Sequence, residues 1–187
     1  MILDTQALLG PSPFAPLQAQ AELVVSLSEQ LQWPLGDDSL GTLRQVLKAD
    51  AELRQARPLE DKSWMAVRHE HVVLCCKALR RLTRRAALLL SALHDRHEAA
   101  GLPLDRLQAC AGACLQQVAL LDTLVEAGFR GPELARASKW RSDNTELCQQ
   151  LLAQVLAEYR GGLKAPVAEL LWAHLDFQDA YRALLDH

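Results

Sequence analysis

Histidine and aspartate residues on one long helical stretch are the first candidates for chemistry. All-helical metal phosphohydrolases hold a divalent ion with one histidine, a His-Asp pair and a distant aspartate. The matching residue types in this chain are His69 or His71, then His94 and Asp95, and finally Asp122 or Asp143. Because no proline or glycine interrupts the stretch, about 25 residues of helix would hold the first histidine about 37 Å from the pair. A hydrolase that uses His94 and Asp95 is therefore kept only as an alternative hypothesis.

Thiols are the second candidates for a metal site. The five cysteines are Cys75, Cys76, Cys110, Cys114 and Cys148. Two pairs on successive helices invite a four-thiolate zinc site, but in a helical hairpin the pairs would lie about 20 Å apart along the axis, too far to share an ion. An odd number of cysteines without disulfide spacing is typical of reduced thiols in a cytosolic protein. We predict small apolar thiols packed in the core.

Other site motifs give no stronger signal. His94, His97 and Glu98 lie close together on a helix, but no second helix carries the Glu-x-x-His motif that di-iron bundles need. The sequence has no G-x-S-x-G, P-loop or G-x-G-x-x-G pattern. We therefore expect a protein that is not an enzyme and that holds neither a metal nor a cofactor.

A row of cations is the most informative surface feature of the same helical stretch. Heptads counted from Met65 place apolar residues at nearly every a and d position as far as Leu93, with Arg68 as the exception. The cations lie mostly opposite this seam, and no acidic residue occurs between Glu70 and Asp95. They are Lys77, Arg80, Arg81, Arg84 and Arg85. Two interpretations are open: acidic neighbouring helices neutralise the row, or the row docks an acidic partner.

A second candidate contact is a tryptophan between two cations, Lys139, Trp140 and Arg141, with Arg130 and Arg136 nearby. Tryptophan and arginine dominate the energetics of many protein interfaces, so this group could be an exposed anchor for a partner. It could equally pack under the start of the following helix. The sequence leaves the two readings open.

Composition predicts the fold class that must position these residues. The 187 residues include 38 Leu and 28 Ala but only 10 Val, 5 Thr and 1 Ile, which favours helix over sheet. The length fits one domain, residues 1–187. Net charge is −3, with a basic middle (net +4 over 61–100) between acidic ends (net −4 over 1–60 and over 142–187). We predict an elongated, antiparallel all-α bundle of about six helices around one long central helix.

Prolines, glycines and capping residues divide the chain into these helices. Residues 1–15 are expected to form an irregular arm. The third helix is expected over 63–100, capped by Asp61 or Ser63, and to form a hairpin with the fourth. A short basic segment should precede a separate helix that begins at a capping box, Asp143 and Glu146. The other expected helices run from Pro16 to Trp33, from Asp38 or Ser39 to Pro58, from Pro103 to Gly128, and from Pro166 onwards.

These observations assign function to a surface rather than to a pocket. The leading hypothesis is a non-enzymatic, cytoplasmic regulator or adaptor that binds one protein, such as a transcriptional activator that it holds in check. A secretion-type chaperone is an alternative, and a homodimer through unused heptad surface is another. A membrane partner is not expected, because the N-terminus has no basic signal region and no apolar run spans a bilayer. Nucleic acid is disfavoured by the acidic net charge, and Arg over Lys (15 against 5) suggests a bacterial genome.

Overall fold

The computed structural model describes residues 14–55, 68–96 and 101–186. These residues form six helices and no strand, which confirms the predicted all-α helical bundle. The predicted caps Asp61 and Ser63, the candidates His97 and Glu98, and nearly all of the predicted arm lie outside the described residues. The helices are α1 (Ala15–Glu29), α2 (Ser39–Gln55), α3 (His69–Arg96), α4 (Leu104–Glu126), α5 (Gly131–Glu158) and α6 (Lys164–Asp186).

The α3 helix is continuous over its 28 described residues and is therefore about 42 Å long. The described part of the predicted long helix thus has no break. Its a and d residues form the buried face, as the heptad pattern predicts, and the cations lie away from it. The buried seam consists of Val72, Cys75, Leu79, Leu82, Ala86, Leu89 and Leu93.

Five helices enclose the core, and α2 lies outside them against α1 and α3. The neighbours of α3 are α6 and α1, whereas α4 packs against α1 and α5. The expectation that α3 and α4 pair as a hairpin is therefore wrong, since within the described residues these two helices barely touch. The short connection between α3 and α4 determines only where the chain passes from one helix to the other, and not which helices pack together. The fully buried seam of α1, which includes Leu17, Val24 and Leu27, fills the space between α3 and α4.

The α5 helix also departs from the expectation. The predicted basic segment and the predicted later helix form one helix, Gly131–Glu158, so Asp143 and Glu146 lie within it and do not cap it. The polar run that includes Asp143 and Asn144 resembles a helix start because such side chains compete for backbone hydrogen bonds. Here these side chains have other partners: Asp143 pairs with Lys139, and Asn144 donates to Gln117 on α4. None of the described helices is long and apolar enough to cross a bilayer.

Candidate functional site

A groove lined entirely by cations lies on the outer side of α3, between Arg54 of α2 and the ion pairs of α3 with α6. Its volume is about 370 Å³, and four of its lining residues belong to the predicted row on α3. The fifth is Arg54, near the end of α2, which the sequence analysis did not single out. The lining residues are Arg54, Lys77, Arg80, Arg81 and Arg84.

A buried polar contact beneath the groove fixes the position of Arg54. The Asp50 carboxylate is only 5 % exposed. One of its oxygens accepts a hydrogen bond from Gln20 Nε2 on α1 (2.9 Å), and the other accepts one from Arg54 Nη2 (2.6 Å). Gln20 Nε2 also donates to Thr83 Oγ1 on α3 (2.8 Å), which in turn donates to the Leu79 carbonyl. Gln20 Nε2 therefore links three helices, and the charge of Arg54 compensates the burial of the Asp50 carboxylate.

The predicted row of cations divides into two groups with different surroundings. On the side of α3 that faces α6, Arg81 pairs with Asp176 and Arg85 pairs with Glu169, each at 2.8 Å. For these two arginines, the structure favours the reading in which neighbouring helices neutralise the row. The pairs are at least one-third exposed, so their contribution to stability is small.

The other three cations of the row have no ion-pair partner among the described residues. Lys77 and Arg84 are exposed, and Arg80 is half-buried. The Nε of Arg80 is buried and makes no hydrogen bond in the described part of the chain, which leaves an unsatisfied donor near the groove. The five lining cations face two bonded carboxylates, Asp50 and Asp176, so the groove keeps an excess of three positive charges.

The predicted contact around Trp140 lies on a different part of the molecule. Trp140 is half-buried and packs against the hydrophobic core, so it is an inner rather than a free side chain. Lys139 forms a local pair with Asp143 at 2.7 Å, and Arg141 is half-buried. Because α5 does not neighbour α3, this group and the groove do not form one surface.

The cysteines are free thiols, as the sequence predicts, and four of the five are buried. The two thiols closest in space are Cys110 on α4 and Cys148 on α5, with sulfurs 3.7 Å apart. Hydrogen bonding to Cys110 and burial raise the pKa of Cys148, and burial raises the pKa of Cys75 to about 12. Such thiols stay protonated and are poor metal ligands or nucleophiles. Among the described residues, no three His, Cys, Asp or Glu side chains are placed to hold a metal ion.

The histidines of the hydrolase hypothesis remain apart. His69 and His71 lie at the start of α3 and His94 near its end, so the continuous helix separates them by about 35 Å. His94 and Asp95 are close to each other, with Nδ1 and Oδ1 at 3.7 Å. The structure therefore does not bring the predicted ligand types into one site within the described residues.

A second polar contact, between α4, α5 and α6, is closed off from the surface. The side-chain amides of Gln117 and Gln178 donate to each other at 2.8 Å in both directions. Asn144 Nδ2 also donates to Gln117 Oε1, and the Tyr181 hydroxyl donates to the Gln117 carbonyl at 2.8 Å. Nearby, His174 Nδ1 lies 3.5 Å from the Cys114 sulfur, and burial lowers the pKa of His174 to about 4. This region is neutral and carries no surface-accessible chemistry.

Two signals in the sequence pointed to the groove and were missed. Asp50 and Arg54 are four residues apart on α2, the spacing of a helical ion pair. Asp50 also lies seven residues after Leu43, on the buried side of α2, whereas Leu47 on the same helix is 47 % exposed. A charged residue on the buried side of a helix must be paired or hydrogen-bonded by another residue, so it indicates a polar contact in the fold.

A scan against family models finds no matching family, and searches of curated proteins and of solved structures find no match.

Proposed function

We propose that this protein is a non-enzymatic cytoplasmic regulator or adaptor, and that its groove between α2 and α3 binds an acidic segment of a partner protein. The observation that carries the proposal is the excess positive charge of the groove. Lys77, Arg80 and Arg84 have no ion-pair partner among the described residues, although acidic side chains are available on α6. An uncompensated cluster of like charges disfavours the fold and is better explained by a ligand of opposite charge.

The spacing of these cations defines what the partner must present. Lys77, Arg80 or Arg81, and Arg84 recur over seven residues, so the row spans about 10 Å of helix. Carboxylates spaced one helical turn apart on the partner would match this length. Arginine binds carboxylates through two parallel hydrogen bonds, and the exposed Arg84 side chain can present both donors. Acidic activation segments of transcriptional regulators have this composition, which supports an anti-activator role.

The proposal is tested with a defined acidic probe, fluorescent polyglutamate, whose binding is followed by anisotropy. The wild type is expected to bind it, and the affinity should fall as salt screens the charges. Lys77→Glu/Arg84→Glu should weaken binding about ten-fold or more, because two attractions become repulsions. The matched control is Arg130→Glu/Arg136→Glu, which changes the net charge equally at exposed positions outside the groove and should bind like the wild type.

The same variants then identify the partner. Capture from extract of the native cell, followed by mass spectrometry, should recover proteins with acidic segments on the wild type and on the control, but not on Lys77→Glu/Arg84→Glu. If the wild type and both variants capture the same proteins equally, the groove is not the binding site. Tighter binding of random duplex DNA than of polyglutamate, with a steep salt dependence, would instead assign the groove to nucleic acid.

A further inference from the structure

The outer side of the α3–α6 layer carries three exposed, large apolar side chains. Six large hydrophobic side chains are exposed in the described part of the chain. Three of them lie on this layer: Leu74 and Leu88 on α3 and Trp172 on α6, each about half exposed. Trp172 is flanked in sequence by two buried residues, so it projects from the outward side of α6. Leu74 and Leu88 lie about 21 Å apart along α3, with Trp172 at a level between them, so exposed apolar side chains are spread along the face and alternate with charged ones.

Charges on the same layer are separated by helix. The outer side of α3 is basic, with Lys77, Arg81 and Arg84, and acidic residues occupy the outer side of α6. The latter are Glu169, Asp176 and Asp179. Asp176 and Glu169 already bond Arg81 and Arg85 of the same chain, which leaves Asp179 on α6 and the cations Lys77 and Arg84 on α3. These groups are complementary to those of a second copy turned through 180°.

The ion pairs within one chain set the register of such a pairing. Because Arg81 bonds Asp176 and Arg85 bonds Glu169, α3 and α6 are antiparallel, and their levels along the layer are known. Lys77 therefore lies level with Asp179, and Arg84 lies level with Trp172. Rotation about a two-fold axis parallel to the helices does not change the position of a residue along that axis. It places α3 of one copy over α6 of the other.

We propose that this protein forms a symmetric homodimer through the outer face of the α3–α6 layer. Lys77 then meets Asp179 of the second copy, and the Arg84 guanidinium meets the Trp172 ring of the second copy, each contact occurring twice. The α6 helix has 23 residues and is about 35 Å long, and two adjacent helices are about 20 Å wide. The face thus offers about 700 Å² per copy, close to the area of a standard stable interface.

The dimer does not rest on the proposed function, because its evidence is the exposed apolar residues and the charge pattern of the layer. It does use Lys77 and Arg84 of the groove, so a second copy and an acidic segment of a partner cannot occupy these two side chains at the same time. Light scattering coupled to size exclusion at micromolar concentration should give twice the mass of one chain. Trp172→Asp should weaken the dimer about ten-fold or more and give the mass of one chain. The matched control is Trp33→Asp, a comparably exposed tryptophan that lies beside His94 at the end of α3 and outside the proposed contacts; this variant should remain dimeric.

A charge exchange separates the dimer from the groove. Lys77→Glu and Asp179→Lys should each weaken the dimer, and the double variant should restore it, because the pair across the interface is reformed. Polyglutamate binding should stay weakened in the double variant, since the groove still lacks Lys77. A wild type that has the mass of one chain at every concentration tested would overturn the dimer, as would a Trp172→Asp variant as dimeric as Trp33→Asp.

Discussion

Two polar contact regions of this bundle differ in how much of their charge is neutralised by partners inside the protein. Between α4, α5 and α6, the neutral Gln117 and Gln178 amides bond each other and the Tyr181 hydroxyl donates to a backbone carbonyl, while the buried Nε2 of His174 makes no hydrogen bond in the described part of the chain. Between α1, α2 and α3, one buried carboxylate is matched by Arg54, but the cations above it exceed what the fold neutralises. The comparison indicates that the first region fixes helix positions, whereas the second also presents charge at the surface.

The largest expected effect is a loss of stability at low pH that is caused by His174 in the closed region. Burial lowers the pKa of His174 from 6.5 to about 4, so the unfolded chain binds more protons than the folded chain between these pH values. The free energy of unfolding should therefore fall as the pH drops through this window, by about 3 kcal/mol from this residue alone. Urea denaturation at pH 7 and pH 4 measures it. His174→Gln should remove that part of the pH dependence; an unchanged pH dependence would contradict the account.

Breaking the amide pair of the closed region should cost somewhat less. Gln117→Leu leaves the Gln178 amide buried without its partner, with an expected loss of about 2–3 kcal/mol in the free energy of unfolding. The double variant Gln117→Leu/Gln178→Leu removes both polar groups and should recover part of the loss. Thermal unfolding measures both, and polyglutamate binding should change in neither. A double variant less stable than the sum of the single variants would show that the pair is not the relevant unit.

A smaller loss is expected at the carboxylate beneath the groove. Asp50→Asn keeps the shape of the side chain but removes the charge that holds Arg54, at a cost of about 1–2 kcal/mol. The groove simultaneously gains one net positive charge, so polyglutamate should bind as tightly as to the wild type, or more tightly. Denaturation and anisotropy on the same sample separate the two effects. A loss of binding in proportion to the loss of stability would mean that the groove depends on Asp50 for its shape.

The smallest effect is expected in the second predicted contact, on α5. Lys139→Ala removes an exposed pair with Asp143 within one helix, worth about 0.3–0.5 kcal/mol. Polyglutamate binding should be unchanged, because α5 does not border the groove. Weakened binding in this variant would instead extend the docking surface to Lys139, Trp140 and Arg141.

The helices could be predicted from the sequence because their signals are local. The buried seam of α3 repeats over more than four helical turns. Gly101 and Gly128 adopt the positive φ values that favour glycine at helix ends. The unity of α5 was missed because a polar run there resembles a helix start. The pair of Asp143 with Lys139 has the i,i+4 spacing that a sequence shows, whereas the bond of Asn144 to Gln117 on α4 depends on how the helices pack.

Neighbour relations and the groove could not be predicted for a different reason. A short loop specifies where two helices connect, but the widths of apolar faces decide which helices pack together, and α1 separates α3 from α4. The four groove cations on α3 were identified from the sequence. Arg54 was not identified, because its position depends on how α2 packs across α1 and α3. That packing includes the hydrogen bond of Asp50 with Gln20.

The most direct test of the groove observes its arginine side chains during binding. The Nε–Hε resonances of ¹⁵N-labelled arginines can be followed by NMR while polyglutamate is added. The resonances of Arg80 and Arg84 should shift and saturate together with the anisotropy signal, while those of Arg130 and Arg136 should not move. Shifts of similar size at all four arginines, or at Arg130 and Arg136 alone, would contradict a docking site between α2 and α3.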